Sequence, residues 1–137
     1  MKKNIFFDDV REVPKGYDLV FRTVRAGLDY LDEHPEEEFD LVSMDYDLGS
    51  SGYTGLDFIK GLAERNTSFD RIQFHTSDRF GMRDMFFYLL KARESGKLTH
   101  DFKMKVDKVA THNGVERETD FCLFRDELGN YPQEWFY

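Results

Sequence analysis

Three short apolar runs in this chain each stop at a cluster of acids or hydroxyls: Phe6-Phe7-Asp8-Asp9, Val42-Ser43-Met44-Asp45-Tyr46-Asp47, and Phe74-His75-Thr76-Ser77-Asp78. Apolar runs of this length, bounded by loop-forming residues, suit strands buried in the middle of a sheet. If they run parallel, all three clusters arrive at one edge of one sheet, where open α/β sheets place their ligand sites.

Parallel strands need crossovers, and the intervening segments supply helices. After a strand at residues 4–7, the Pro- and Gly-bearing stretch 9–16 reads as a loop, and residues 17–22 read as a second strand. Thr23 is then the N-cap of a helix running to about residue 34, with Val24, Leu28 and Leu31 on one stripe and Pro35 beyond its end. Residues 39–44 form the next strand, after the solvated acidic turn Glu36-Glu37-Glu38. The glycine- and serine-rich stretch 48–55 is a mobile loop over the sheet edge, followed by a helix at about 56–64. A strand at 71–74 and a helix at 82–94, with Met82, Met85, Phe86, Leu89 and Leu90 at helical spacing, complete the alternation.

The tail differs. Residues 102–111 and 115–124 are two strand-like runs around His112-Asn113-Gly114, and Asn-Gly is the strongest short hairpin signal, so a two-stranded addition at about 102–125 is expected. The terminal Trp135-Phe136-Tyr137 reads as an aromatic cluster that docks on its own domain. With 137 residues the chain suits one domain with a real core.

Composition narrows the function. A net charge of −8 opposes accumulation on nucleic-acid backbones and on anionic membrane leaflets, which leaves room for an RNA end held by a metal ion and a few arginines. The single Cys122 excludes an internal disulfide and fits a reducing cytoplasm. No long apolar stretch precedes Asp8, so neither a secretory signal nor a membrane span is expected. His34, His100 and His112 lack zinc spacing with Cys122, and no phosphate-binding glycine loop or nucleophile elbow is present.

The acids carry the chemistry. Carboxylates crowded together repel, and at least one is driven towards protonation unless a cation sits between them. Asp8, Asp9, Asp45 and Asp47 at neighbouring strand ends therefore either spread apart as turn acids and caps or gather around a hard divalent ion, for which Mg²⁺ (or Mn²⁺) is the natural candidate. Arg11 reads either as a phosphate clamp or as a surface ion-pair partner, and His75, with an ordinary pKa near neutrality, either as a proton carrier or as a hydrogen-bonded structural histidine.

These residues resemble the phosphoacceptor receiver domain of response regulators: an acid doublet after the first strand, Asp45 ending a later strand, Thr54-Gly55 opening a helix, and Thr76-Ser77 after the next strand. That resemblance implies a receiver-like (flavodoxin-like, Rossmann-like) mostly parallel sheet flanked by helices. It implies metal on Asp8 and Asp9, a phosphoryl acceptor at Asp45 and phosphate contact from Thr76 and Ser77. Only 35 residues separate Asp9 from Asp45, too few for the helix-strand-helix that a receiver inserts there, so one helix is expected to be missing. The Lys-Pro expected after the fifth strand has no equivalent.

The combination Phe6-Phe7-Asp8-Asp9-Val10-Arg11, Ser43-Met44-Asp45-Tyr46-Asp47-Leu48-Gly49 and His75-Thr76-Ser77-Asp78, with Gly81 and Met85, resembles more closely the receiver-like family of cyclic-phosphate processing domains, over about residues 4–93. It departs from that family at Tyr46, where His is common, and at Asp78, where Asn is common. The resemblance implies a metal-dependent phosphoesterase acting on a cyclic phosphate, in a small nucleotide or at an RNA end. Asp45, His75 and Asp9 would be catalytic, Arg11, Thr76 and Ser77 phosphate-binding, and Asp8, Asp9, Asp45 and Asp47 would hold the metal, Asp47 either in its outer sphere or positioning His75. A signalling module phosphorylated on Asp45 and a non-catalytic binding protein are the alternatives.

Overall fold

The computed structural model describes residues 1–49, 52–76, 78–106, 109–112 and 115–118, with the backbone alone for residues 106, 109–112 and 115–118. Five strands form one parallel sheet: β1 (Lys3–Phe7), β2 (Leu19–Phe21), β3 (Phe39–Met44), β4 (Phe69–Phe74) and β5 (Lys103–Val106), in the spatial order β2-β1-β3-β4-β5. This is the doubly wound flavodoxin order, whose strand order reverses between β1 and β3. The receiver-like expectation is met. Three helices connect the strands: α1 (Val24–Glu33), α2 (Gly55–Glu64) and α3 (Arg79–Glu94).

The helix missing between β1 and β2 is a loop, as the short spacing required. Its absence changes how the sheet is covered. Right-handed crossovers from β2 to β3, β3 to β4 and β4 to β5 all put their helices on the same face. There α1 packs beside α2 and α2 beside α3. Ile5 and Phe7, Val42 and Met44, and Ile72 and Phe74 point into this layer, fully buried. Phe58 of α2 stacks on Phe7 at 4.6 Å, and Phe86 of α3 meets Phe74 edge-on at 6.4 Å. Each such Phe contributes about 1.5–3 kcal/mol through burial. Side chains alternate along a strand, so Phe6, Ser43 and Gln73, which are neighbours in register, share the opposite face. Among the described residues no helix covers it.

Local chemistry fixes the helix starts. The Thr23 side chain accepts from the Ala26 N–H at 3.0 Å, the N-cap expected. The Thr54 N–H donates to Asp57 at 2.8 Å, half of a capping box. Asp78 caps α3 by accepting from the Gly81 N–H at 2.8 Å, which starts that helix one turn before the apolar stripe that marked it.

The tail requires a correction. The run expected as one hairpin strand, 102–111, is divided: Lys103–Val106 joins the main sheet as a fifth parallel strand beside β4, and only Val109–His112 (β6) pairs antiparallel with Val115–Glu118 (β7). The physical reason is alternation, since Phe102 and Met104 turn into the core while Lys103 is exposed. The turn residues Asn113-Gly114, the expected strand beyond residue 118, Cys122 and the terminal aromatics lie outside the described residues. Among the described residues no helix is long and apolar enough to cross a membrane.

Candidate metal and phosphate site

The register of the sheet brings the acids together. Phe21, Phe7, Met44 and Phe74 form one row across β2, β1, β3 and β4. The ladder then runs one step further: the Asp8 N–H donates to the Phe21 carbonyl at 3.2 Å, Asp45 to Phe7 at 2.9 Å, and His75 to Met44 at 2.9 Å. Asp8, Asp45 and His75 therefore leave the sheet side by side, where the strand order reverses.

Carboxylate oxygens of Asp8, Asp9 and Asp45 lie within 4.8 Å of one another. They wall a pocket of about 220 Å³ together with Arg11, Asp47, Val10 and Gly49. Asp8 is fully buried and its oxygens divide their partners. Oδ1 accepts from the N–H groups of Val10 at 3.0 Å and Arg11 at 2.9 Å, while Oδ2 meets His75 Nε2 at 2.9 Å and Arg11 Nη1 at 3.5 Å. Burial pushes the Asp8 carboxyl up, but the two N–H groups and His75 outweigh it and hold the group below its ordinary value.

Asp45 takes the opposite course. Burial is the main cause of its rise to about 6, and the Asp8 charge adds to it, against the hydrogen bond from Thr76, the Arg11 charge and the Tyr46 N–H at 2.8 Å. This is the frustrated carboxylate that crowding predicts. An all-oxygen set of three acids, one of them reluctant to ionise, fits a hard divalent cation such as Mg²⁺ or Mn²⁺.

His75 lies beside the acids, as expected, but its ring is fully engaged. Nε2 faces Asp8 and Nδ1 lies 2.8 Å from Ser43 Oγ. Ser43 in turn accepts from Gln73 Nε2 at 3.2 Å, and that amide also reaches Tyr17 Oη at 3.3 Å. Phe6 stacks on the imidazole at 4.7 Å with planes 6° apart. Burial pushes the His75 pKa down against the pull of Asp8, so the ring is neutral at pH 7. Consistency of the chain then assigns the proton to Nε2, donated to Asp8, with Nδ1 accepting from Ser43. The histidine does not line the acid pocket; it orients Asp8.

Arg11 donates through Nη1 to the His75 carbonyl at 2.7 Å, and its Nε and Nη2 meet no acceptor among the described residues. Thr76 is buried with its hydroxyl toward Asp45 and accepts from the Asp78 N–H at 3.2 Å. Ser77 lies outside the described residues. Asp47 does not join the three-acid cluster: it is exposed and accepts from the Gly49 N–H at 2.9 Å, so it lines the pocket as a turn acid and does not position His75. Tyr46, where a histidine is common, turns away and packs on Gly81 of α3, where any Cβ would collide with its ring. Asp78 is spent on its cap.

Sequence reasoning assigned no role to Ser43, Gln73 or Arg22. Arg22 follows β2 at the same edge and donates to the Asp8 carbonyl at 3.1 Å and the Arg11 carbonyl at 2.6 Å, bracing the acid loop. Its signal was its place directly after a strand.

No curated protein and no solved structure matches the chain. A family model does, over residues 3–91, which span every charged and hydroxyl group of the site just described: the chain belongs to the cyclic-phosphate processing receiver domain family.

Proposed function

We propose that this protein is a metal-dependent phosphoesterase that hydrolyses a cyclic phosphate, in a small nucleotide or at an RNA end. The convergence of Asp8, Asp9 and Asp45 on one space with Arg11 at its wall carries the reading. These three acids would hold Mg²⁺ or Mn²⁺, which when bound supplies charge relief to the phosphoryl oxygens and acidifies a water. Hydrolysis forms one P–O bond from water, breaks one ring P–O bond and returns a proton to the released oxygen. Arg11 contributes the unengaged edge of its guanidinium to the phosphate oxygens, a bidentate match in shape and charge. Thr76 orients Asp45. His75, expected to transfer a proton, is assigned instead to holding Asp8 through a neutral ring.

Incubating the full chain with adenosine 2′,3′-cyclic phosphate and Mg²⁺ should yield a monophosphate over many turnovers, followed by phosphorus NMR. Asp45→Asn should abolish it while preserving the fold. An active Asp45→Asn variant removes that residue from the catalytic set, and no product from any cyclic phosphate overturns the reading. The contact between Thr76 and Asp45 favours the second reading, a phosphorylated Asp45. That alternative predicts a base-labile acyl phosphate after treatment with a small phosphoryl donor, and no turnover.

A further inference from the structure

The acid pocket borders a larger cavity for which the phosphate chemistry has no use. It measures about 550 Å³, within the range of small-molecule sites, and lies between the start of α1 and the loop that follows β3. Val24, Leu28 and Leu48 give it an apolar floor, with Val24 and Leu48 nearly inaccessible. The ring of Tyr53 stands at its rim, 60% exposed. Two features join this cavity to the acids. Arg22 lines it and donates to the carbonyls of both Asp8 and Arg11, and Leu48 is followed directly by Gly49, a wall of the acid pocket.

We propose that this cavity seats the base of a nucleotide whose cyclic phosphate lies at the acids. The inference rests on the esterase reading and names the class of substrate: a nucleoside cyclic phosphate, in preference to a cyclic phosphate on a bare polyol. Phosphate alone makes no use of an apolar floor or an exposed aromatic ring. A base uses both, because every base has a face that stacks on an aromatic side chain. Of the two arginines that line the cavity, Arg25 is turned to Asp29 at 3.4 Å, while Arg22 reaches over to the acid loop.

The test compares adenosine 2′,3′-cyclic phosphate with glycerol 1,2-cyclic phosphate, both in Mg²⁺ with the full chain, reading kcat/KM and the dissociation constant by competition. The nucleotide should be favoured by about tenfold or more, the size of one base–aromatic stack. Tyr53→Ala should collapse that preference and Tyr53→Phe should keep it, with the melting temperature of each variant verifying the fold. Equal handling of the two compounds, or a preference that survives Tyr53→Ala, overturns the base site while leaving the esterase standing. Failure to bind or process either compound overturns both together.

Discussion

Asp8, after β1, and His75, after β4, meet over the end of the intervening β3 at 2.9 Å, and the histidine is itself held from behind by Ser43 at 2.8 Å. A buried carboxylate fixed through an imidazole has one orientation available, which matters most if it is a metal ligand. Ser43→Ala removes the acceptor's partner at Nδ1 and frees the ring to turn. Its Mg²⁺ or Mn²⁺ affinity should fall by about 10–100-fold, the usual effect of losing an outer partner of a ligand, while stability falls by only about 1 kcal/mol. Calorimetric titration and urea melts separate the two. Unchanged metal affinity would remove His75 from its positioning role.

Metal binding should be visible as stability. An ion that binds only the folded chain, at a hundred times its dissociation constant, adds about 2.7 kcal/mol. Mg²⁺ and Mn²⁺ should raise the melting temperature, chelator should reverse the rise, and Asp9→Asn, at a partly exposed position, should weaken it. A melting temperature indifferent to both ions would sink the metal centre.

The Asp45 carboxyl gives the metal-free protein a distinctive pH profile. Its folded pKa, about 6, lies above its ordinary 3.8, so between those values the folded state binds more protons than the unfolded one. By linkage, this group's stabilising contribution is complete below about pH 4 and is lost as pH rises through 6. The loss is on the order of 3 kcal/mol. Asp8 has the opposite sign: its depressed pKa lends stability that disappears on acidification. Without metal, Asp45→Asn should therefore match wild type near pH 4 and exceed it in stability at pH 7. Urea melts across this range check it; parallel profiles for the two proteins would refute the strain at Asp45.

Gly81 sits under the ring of Tyr46, and a Cβ there collides with the ring carbons unless the ring shifts. Gly81→Ala should cost about 1–3 kcal/mol through overpacking, despite alanine's better helix propensity. The double variant Gly81→Ala with Tyr46→Ala should recover part of that loss in a thermal melt, since the collision needs both side chains.

The legible parts of this molecule were those fixed by local pattern. Asp8 and Asp45 could be read as neighbours because each directly follows a strand that ends on a buried apolar residue, Phe7 or Met44, with Asp9 next to Asp8, and Thr23 could be read as a cap because Val24 opens the stripe behind it. One reading failed where the pattern had two solutions. Lys103 to Val106 alternates as any strand does, and the Asn-Gly signal nearby drew it into the hairpin, although Phe102 and Met104 supply the buried side that a sheet edge needs. Asp47 was grouped with the metal acids by its Asp-x-Asp spacing; it lines the same pocket outside the three-acid cluster, where the chain turns at Gly49, whose φ is +69°, and the carboxylate accepts from that turn. Ser43 and Gln73 were illegible for another reason: their role exists only across strands, through the register that puts them side by side.

The helix-free link from β1 to β2 has a consequence for the chemistry at its root. A helix opening there would aim its positive end at the acid doublet and soften its charge. Without that dipole, compensation falls to guanidinium groups carried on loop backbone, and loops accept insertions and deletions that a packed helix would refuse. The charge balance of this pocket is thus open to adjustment by changes in loop length, with the hydrophobic layer behind it undisturbed.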